Sequence, residues 1–220
     1  MRTLIFDTSG SHTTAAVAED GTLLGHVSER VQPLTQLHER IRGLLAGLGL
    51  RVSDLERIAV VTGPGSWTGL NIGVTAAKTL AQVLAAPVVA LSSLDAVAAD
   101  LDSPGGPVVA LLDAKRGNVY RRVYETGDDG RPVLGEGEAE VAAFEDVAAE
   151  LAAAPGEPLV VEYGTVFRGH LAELGNRARA IHRESLPAEG LLRSLEAAGA
   201  RELTGEDALR LAPRYLQKMV

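Results

Sequence analysis

Ile58-Ala59-Val60-Val61-Thr62-Gly63-Pro64-Gly65-Ser66-Trp67-Thr68-Gly69-Leu70-Asn71-Ile72-Gly73 is the stretch that decides the architecture. Ile58 to Val61 is an unbroken apolar run of strand length, and Val74 to Ala85 beyond it consists of good helix formers. A strand, a glycine-rich turn and a helix in that order aim backbone N–H groups and a helix N-terminus at one spot, which suits a phosphate or another anion. The same glycines also serve a tight turn that needs positive φ. The turn is not a P-loop, because position 68 is Thr and no lysine follows before Lys78. It fits the dinucleotide fingerprint only in the loosened form Gly63-x-Gly65-x-x-x-Gly69, with no acidic residue at the end of the next strand to hold a ribose.

Upstream, Thr3 to Phe6 reads as a buried strand ending at Asp7-Thr8-Ser9. Thr14 to Ala18 and Thr22 to Val27 read as two further strands, and Asp20-Gly21 between them is a hairpin signal. Pro33 to Leu50 is an amphipathic helix by the spacing of Leu34, Leu37, Ile41, Leu44, Leu45 and Leu48. Downstream, Pro87 to Leu91 is a strand, and Ser92-Ser93-Leu94-Asp95 caps a short helix. Asp102-Ser103-Pro104-Gly105-Gly106-Pro107 is the strongest linker signal. Past it the pattern restarts: strands at Val108 to Leu112 and Val119 to Tyr124, a helix at Phe144 to Ala153, a strand at Leu159 to Glu162, a helix at Thr165 to Leu174, a strand at Arg179 to His182 and helices at Leu186 to Ala198 and after Thr204. The expectation is α/β: two lobes of mixed sheet flanked by helices, residues 1–103 and a reduced 104–220, with a C-terminal helix able to pack back on the first lobe. Two lobes, each opened by a strand pair with a polar turn, suggest the actin-like ATPase (ASKHA) architecture.

Composition narrows the function. The 220 residues hold 46% hydrophobic and 23% charged side chains, ordinary for a globular protein. Cysteine is absent, which removes thiolate chemistry and disulfides. The net charge of −8 argues against a nucleic-acid grip by this chain alone, since the densest basic cluster is only Lys115-Arg116 with Arg121-Arg122. The N-terminal residues have neither the length nor the cleavage site of a signal peptide, and no apolar run approaches the roughly 20 residues of a membrane span, so a cytoplasmic location is expected. His38 has Ile41 and Arg42 where a second histidine would complete a metal pair, so no metal site is expected. Ser66 is not central in a G-x-S-x-G elbow, and no Ser/His/Asp set assembles.

The residues left as candidates fall in two groups. Asp7, Thr8, Ser9, Gly63, Gly65, Ser66, Thr68 and Gly69 are the anion- or nucleotide-contacting candidates. Gly69, Gly73, Ala77, Ala81 and Ala85 form a small-residue ridge that allows close helix packing, within the chain or against a second chain. Leu37, His38, Ile41, Leu44 and Leu45, with Gly73, Ala77, Leu80 and Ala81, are therefore the candidate partner interface.

Phe6-Asp7-Thr8-Ser9, the Gly63 to Gly73 block, Ser92-Ser93-Leu94, Asp113-Ala114-Lys115-Arg116-Gly117-Asn118-Val119-Tyr120 and Pro213-Arg214-Tyr215-Leu216 occur in that order. Together they resemble the TsaB (YeaZ) family of bacterial tRNA threonylcarbamoyladenosine biosynthesis proteins, over nearly the full chain. Trp67 stands where that family usually has Phe, and Asn71 where it usually has Arg. The resemblance implies a non-catalytic paralogue of the catalytic subunit TsaD. It implies pairing with TsaD, joint work with the ATPase TsaE, and a homodimer when the partner is absent. The product would be threonylcarbamoyladenosine at position 37 of tRNAs that read codons beginning with A. ATP or ADP and magnesium would belong to the partner subunits, and this chain would need no cofactor. The other readings are an independent actin-like ATPase or kinase, for which Asp7 and Asp113 are the only well-placed carboxylates, and a glycoprotease-like hydrolase.

Overall fold

The computed structural model describes residues 1–30, 33–102, 106–135, 138–164, 166–197 and 201–216. Among the described residues, ten strands form two five-stranded sheets, accompanied by seven α-helices. The first contains β1 (Arg2–Asp7), β2 (Thr13–Glu19), β3 (Thr22–Glu29), β4 (Arg57–Gly63) and β5 (Val88–Ser92), in the order β3-β2-β1-β4-β5. The second contains β6 (Val108–Lys115), β7 (Asn118–Tyr124), β8 (Glu140–Ala143), β9 (Leu159–Tyr163) and β10 (Arg179–Arg183), in the order β8-β7-β6-β9-β10. The connectivity is the same in both: two antiparallel pairings, then two parallel ones reached by helical crossovers. This duplicated pattern is the actin-like α/β fold expected from the sequence. Residues 103–105, at the centre of the expected linker, lie outside the described residues, as do Thr165 and Ala198 at the ends of two expected helices.

Five layers follow from side-chain alternation along the strands. Leu4 and Phe6 of β1 face α1 (Pro33–Gly47) and α2 (Trp67–Leu84), while Ile5 faces the opposite side. In the second sheet, Val109 and Leu111 face α4 (Phe144–Ala153) and α5 (Arg168–Glu173), while Val108, Ala110 and Leu112 face inward. Between the sheets lie α3 (Ser93–Ala99) and α6 (Ala188–Ala197), in one hydrophobic core fed by both. Asp20 (φ 48°) and Gly21 (φ 78°) form the β2–β3 hairpin, and Ser92 caps α3 by accepting from the Asp95 N–H. The last segment, with α7 (Gly205–Leu209), returns to the first sheet: Leu203 bridges Val88, and the Arg214 N–H donates to the Thr62 carbonyl at 2.7 Å.

The helices expected to Leu50 and from Thr165 are shorter, Pro33–Gly47 and Arg168–Glu173, and two further elements differ from the sequence reading. Helix α2 begins at Trp67, so Gly69 and Gly73 lie inside it rather than in the turn, because the Ser66 hydroxyl caps the Gly69 N–H and starts the helix early. Strand β8 was not foreseen: Glu-Val-Ala-Ala is short and has little β-branched content, and only its pairing with β7 makes it a strand.

Candidate functional site

Strands β1 and β4 are parallel neighbours, so Asp7 and Gly63 end at the same edge of the first sheet. The Thr8-Ser9-Gly10 loop and the Pro64-Gly65-Ser66 turn meet there. The Thr8 hydroxyl donates to the Gly69 carbonyl at 2.7 Å, and the Ser66 N–H donates to the Ser9 carbonyl at 2.8 Å. The glycines serve this contact. A Cβ on Gly69 would lie 1.9 Å from the Thr8 carbonyl oxygen, and one on Gly73 2.4 Å from the Thr8 hydroxyl. Gly63, at φ +138°, lets the C-terminal segment pass: a Cβ there would be 2.6 Å from the Arg214 carbonyl oxygen.

A cleft of about 1060 Å³ opens between this edge and the second sheet. Ser9, Gly65 and Ser66 line it, while Asp7, Thr8, Gly63 and Gly69 are buried behind it and Thr68 is solvent-exposed. The eight anion candidates are thus neighbours, but the Ser66 and Gly69 N–H groups are already bonded within the chain.

The floor is occupied by a residue the sequence did not point to. Tyr163, at the end of β9, is 2% exposed and donates its hydroxyl to Asp7 Oδ2 at 2.9 Å. A Cβ on Gly10 would sit 1.8 Å from the Tyr163 oxygen. The phenol therefore packs directly against the β1 loop at Gly10. Asp7 also accepts from the Ser9 N–H at 2.8 Å. Burial pushes the Asp7 carboxyl up from its ordinary value, against the hydrogen bonds from Ser9 and Tyr163 that hold it down.

This shift sets a pH dependence. A carboxyl that titrates higher in the folded chain favours folding when protonated, so its contribution is full below the unfolded value near 3.8 and is lost as pH rises through the folded value. Asp7→Asn keeps an acceptor for Ser9 and a partner for Tyr163 without the charge. The variant should gain stability relative to the unaltered chain as pH rises from 3.8 to neutrality, read by urea denaturation at several pH values. A constant difference across that range would exclude the linkage.

Arg30, Asp113, Lys115, Arg116 and Glu184 line the cleft, and three members of the basic cluster are paired within the chain. Lys115 pairs with Asp113, Arg121 with Glu140 and Glu150, and Arg122 with Asp95. Most of the basic cluster is neutralised within the chain, and among the described residues no three His, Asp or Glu side chains converge on a metal-sized site.

Six of the nine interface candidates face inward and are not part of the exposed surface of the single chain. Leu37, Ile41, Leu45, Gly73, Ala77 and Ala81 are buried in the core that α1 and α2 share with the first sheet. The apolar stripe of each helix and the small-residue ridge pack against β-strands of their own chain; only Ala85 of the ridge is exposed. Leu44 and Leu80 are partly buried and His38 is exposed. The outward apolar residues of this layer are Leu34 (72% exposed), Trp67 (54%) and Val83 (76%). Asn71, one of the two departures from the family pattern, donates to the Tyr215 hydroxyl and the Trp67 carbonyl, each at 2.8 Å. It ties the C-terminal segment to the start of α2.

The model of the family described as TsaD, tRNA N6-adenosine threonylcarbamoyltransferase, matches residues 32–199, more than half of the chain. The chain belongs to the TsaD family. Within this family its similarity is to TsaB (YeaZ). It is 36% identical over 130 residues to the tRNA threonylcarbamoyladenosine biosynthesis protein TsaB of Bacillus subtilis, covering 57% of this chain and 56% of that one. It is 30% identical over 139 residues to TsaB of Escherichia coli, covering 59% and 58%. The chain thus spans about half the length of the curated relatives it matches. The crystal structure of YeaZ from Pseudomonas aeruginosa superposes with a TM-score of 0.76 at 28% identity, covering 98% of this chain and 99% of that one. The family resemblance read from the ordered motifs is confirmed.

Proposed function

We propose that this chain is a non-catalytic subunit in the synthesis of threonylcarbamoyladenosine at position 37 of tRNA, working beside a TsaD-type catalytic paralogue and a TsaE-type ATPase in the cytoplasm. The observation that carries the reading is Tyr163 over Asp7: the floor of the cleft is filled by the protein itself. The intramolecular neutralisation of Lys115, Arg121 and Arg122 supports the absence of an independent tRNA grip. The two five-stranded sheets support a two-lobed chain, for which 103/104 is the proposed boundary, and among the described residues no helix is long and apolar enough to cross a membrane. Reconstitution tests the reading. Modification of tRNA by the catalytic protein and the ATPase should require this chain, while the purified chain alone should neither hydrolyse ATP nor modify tRNA. Turnover of magnesium-ATP by the chain alone would instead establish the ATPase reading.

The partner surface in this proposal is the outward face of α1 and α2, with Leu34, His38, Leu80 and Val83 in place of the buried residues first expected. Homodimerisation and pairing with the paralogue use the same face. Leu34→Glu combined with Val83→Glu should weaken self-association at least about ten-fold in sedimentation while leaving the melting temperature close to that of the unaltered chain, since both side chains are exposed. Unchanged association would move the interface elsewhere. Ala77, with no exposure, is not a suitable probe, because a charge there would attack the core.

A further inference from the structure

Two-lobed proteins that close around a ligand rely on that ligand to bridge the lobes. We propose that in this chain Tyr163 is a permanent internal bridge, which holds the two sheets in one closed arrangement and leaves the cleft unable to open and close on a nucleotide. The inference goes beyond the subunit role and does not depend on it.

Among the contacts that join the sheets in the described residues, three sets with buried or half-buried partners are spread along the boundary, and the Ser11 hydroxyl adds a bond to the Glu184 carbonyl at 3.3 Å. At the cleft floor, the Tyr163 hydroxyl from β9 meets Asp7 at the end of β1 at 2.9 Å, with both residues buried. On α3, Asp95 accepts from the Arg122 guanidinium at 2.6 Å and the Tyr124 hydroxyl at 2.7 Å, both from β7. At the far end of α3, Asp100 accepts from Arg183 of β10 at 2.9 Å. Helix α3 lies in the core shared by both sheets, so its two carboxylates cannot follow one sheet without breaking contact with the other.

Of these contacts, the one at Tyr163 is the most deeply buried at the cleft. Gly10 has no Cβ, and the phenol oxygen takes that volume. Opening would expose the Asp7 carboxyl and the Tyr163 hydroxyl and would separate apolar surface of both sheets. A ligand entering the floor would first have to displace the ring.

The chain contains no cysteine, so a pair of introduced cysteines carries the only spin labels. His26 on β3 and Glu145 on α4 are both exposed, the first in the first sheet and the second on a helix packed against the second sheet, and each is changed to Cys. Double electron–electron resonance, with the labelled chain diluted in unlabelled chain, reads their distance. The expected result is one narrow distribution that millimolar magnesium-ATP does not move. Tyr163→Ala should widen it about two-fold or add a longer distance. Should Tyr163→Ala fail to fold by circular dichroism, Tyr163→Phe, which keeps the ring and loses the bond to Asp7, is judged by the same criterion. Two populations in the otherwise unaltered chain, a shift on adding magnesium-ATP, or a folded Tyr163 variant with an unchanged distribution would each overturn the proposal.

Discussion

Gly69→Ala is expected to destabilise the chain by about 3 kcal/mol, the upper part of the range for inserting a methyl group into a packed interior. The new Cβ would lie 1.9 Å from the Thr8 carbonyl oxygen and 3.0 Å from its carbon. Both sides of the clash are backbone, so no rotamer change relieves it. Either α2 lifts from β1, or the end of β1 moves and takes Asp7 and Ser9 with it. In both cases the bond from the Thr8 hydroxyl to the Gly69 carbonyl is lost. Gly43 supplies the control. It also lies in a helix, α1, but a Cβ there meets nothing within 4 Å. Gly43→Ala should therefore stabilise by about 0.5–1 kcal/mol through the backbone entropy of the unfolded chain. Urea denaturation of both variants separates packing from propensity. If Gly69→Ala proves as stable as the unaltered chain, the close approach of α2 to the β1 loop does not constrain this residue.

The contrast between these two glycines explains what the sequence could and could not reveal. Local chemistry was legible: Asp20-Gly21 specified a hairpin, Ser92 a cap, and the apolar run before Gly63 a strand. The actin-like fold followed from the recurrence of strand pairs and crossovers. The early start of α2 was hidden because Gly69 and Gly73 resemble turn residues by propensity, and only the neighbouring Thr8 loop explains them. Periodicity in α1 correctly selected Leu37, Ile41 and Leu45 as one face. It could not say whether that face meets another chain or the chain's own sheet, since burial in either case asks for the same spacing. Tyr163 escaped for a different reason. Its partner Asp7 is 156 positions away, and a tyrosine closing an apolar strand carries no local mark of such a contact.

Asp95→Ala should have the largest effect, a loss of about 3–5 kcal/mol, because it removes one partner of a buried ion pair. The side chains of Asp95 and Arg122 are only 15% and 7% exposed. One carboxylate oxygen serves both the Arg122 guanidinium and the Tyr124 hydroxyl, and the guanidinium lies 4.8 Å from the centre of the Tyr124 ring. Without the carboxylate, a cation and a phenol stay in the shared core with their common acceptor gone. Asp95→Asn keeps an acceptor and should cost less, about 1–3 kcal/mol. Arg122→Met on the Asp95→Ala background should recover part of the loss, since an apolar side chain of similar length replaces a buried charge that has lost this carboxylate. A second readout is independent of stability. Burial first, and then the Asp95 charge, push the Tyr124 hydroxyl well above its ordinary value. In Asp95→Ala the phenol should ionise at lower pH than in the unaltered chain, seen in the ultraviolet titration of the folded protein, because the carboxylate that opposes a second negative charge has gone. Additive losses in the Asp95/Arg122 cycle would show that the two residues stabilise the chain separately, and an unmoved Tyr124 titration would show that the carboxylate does not govern the phenol.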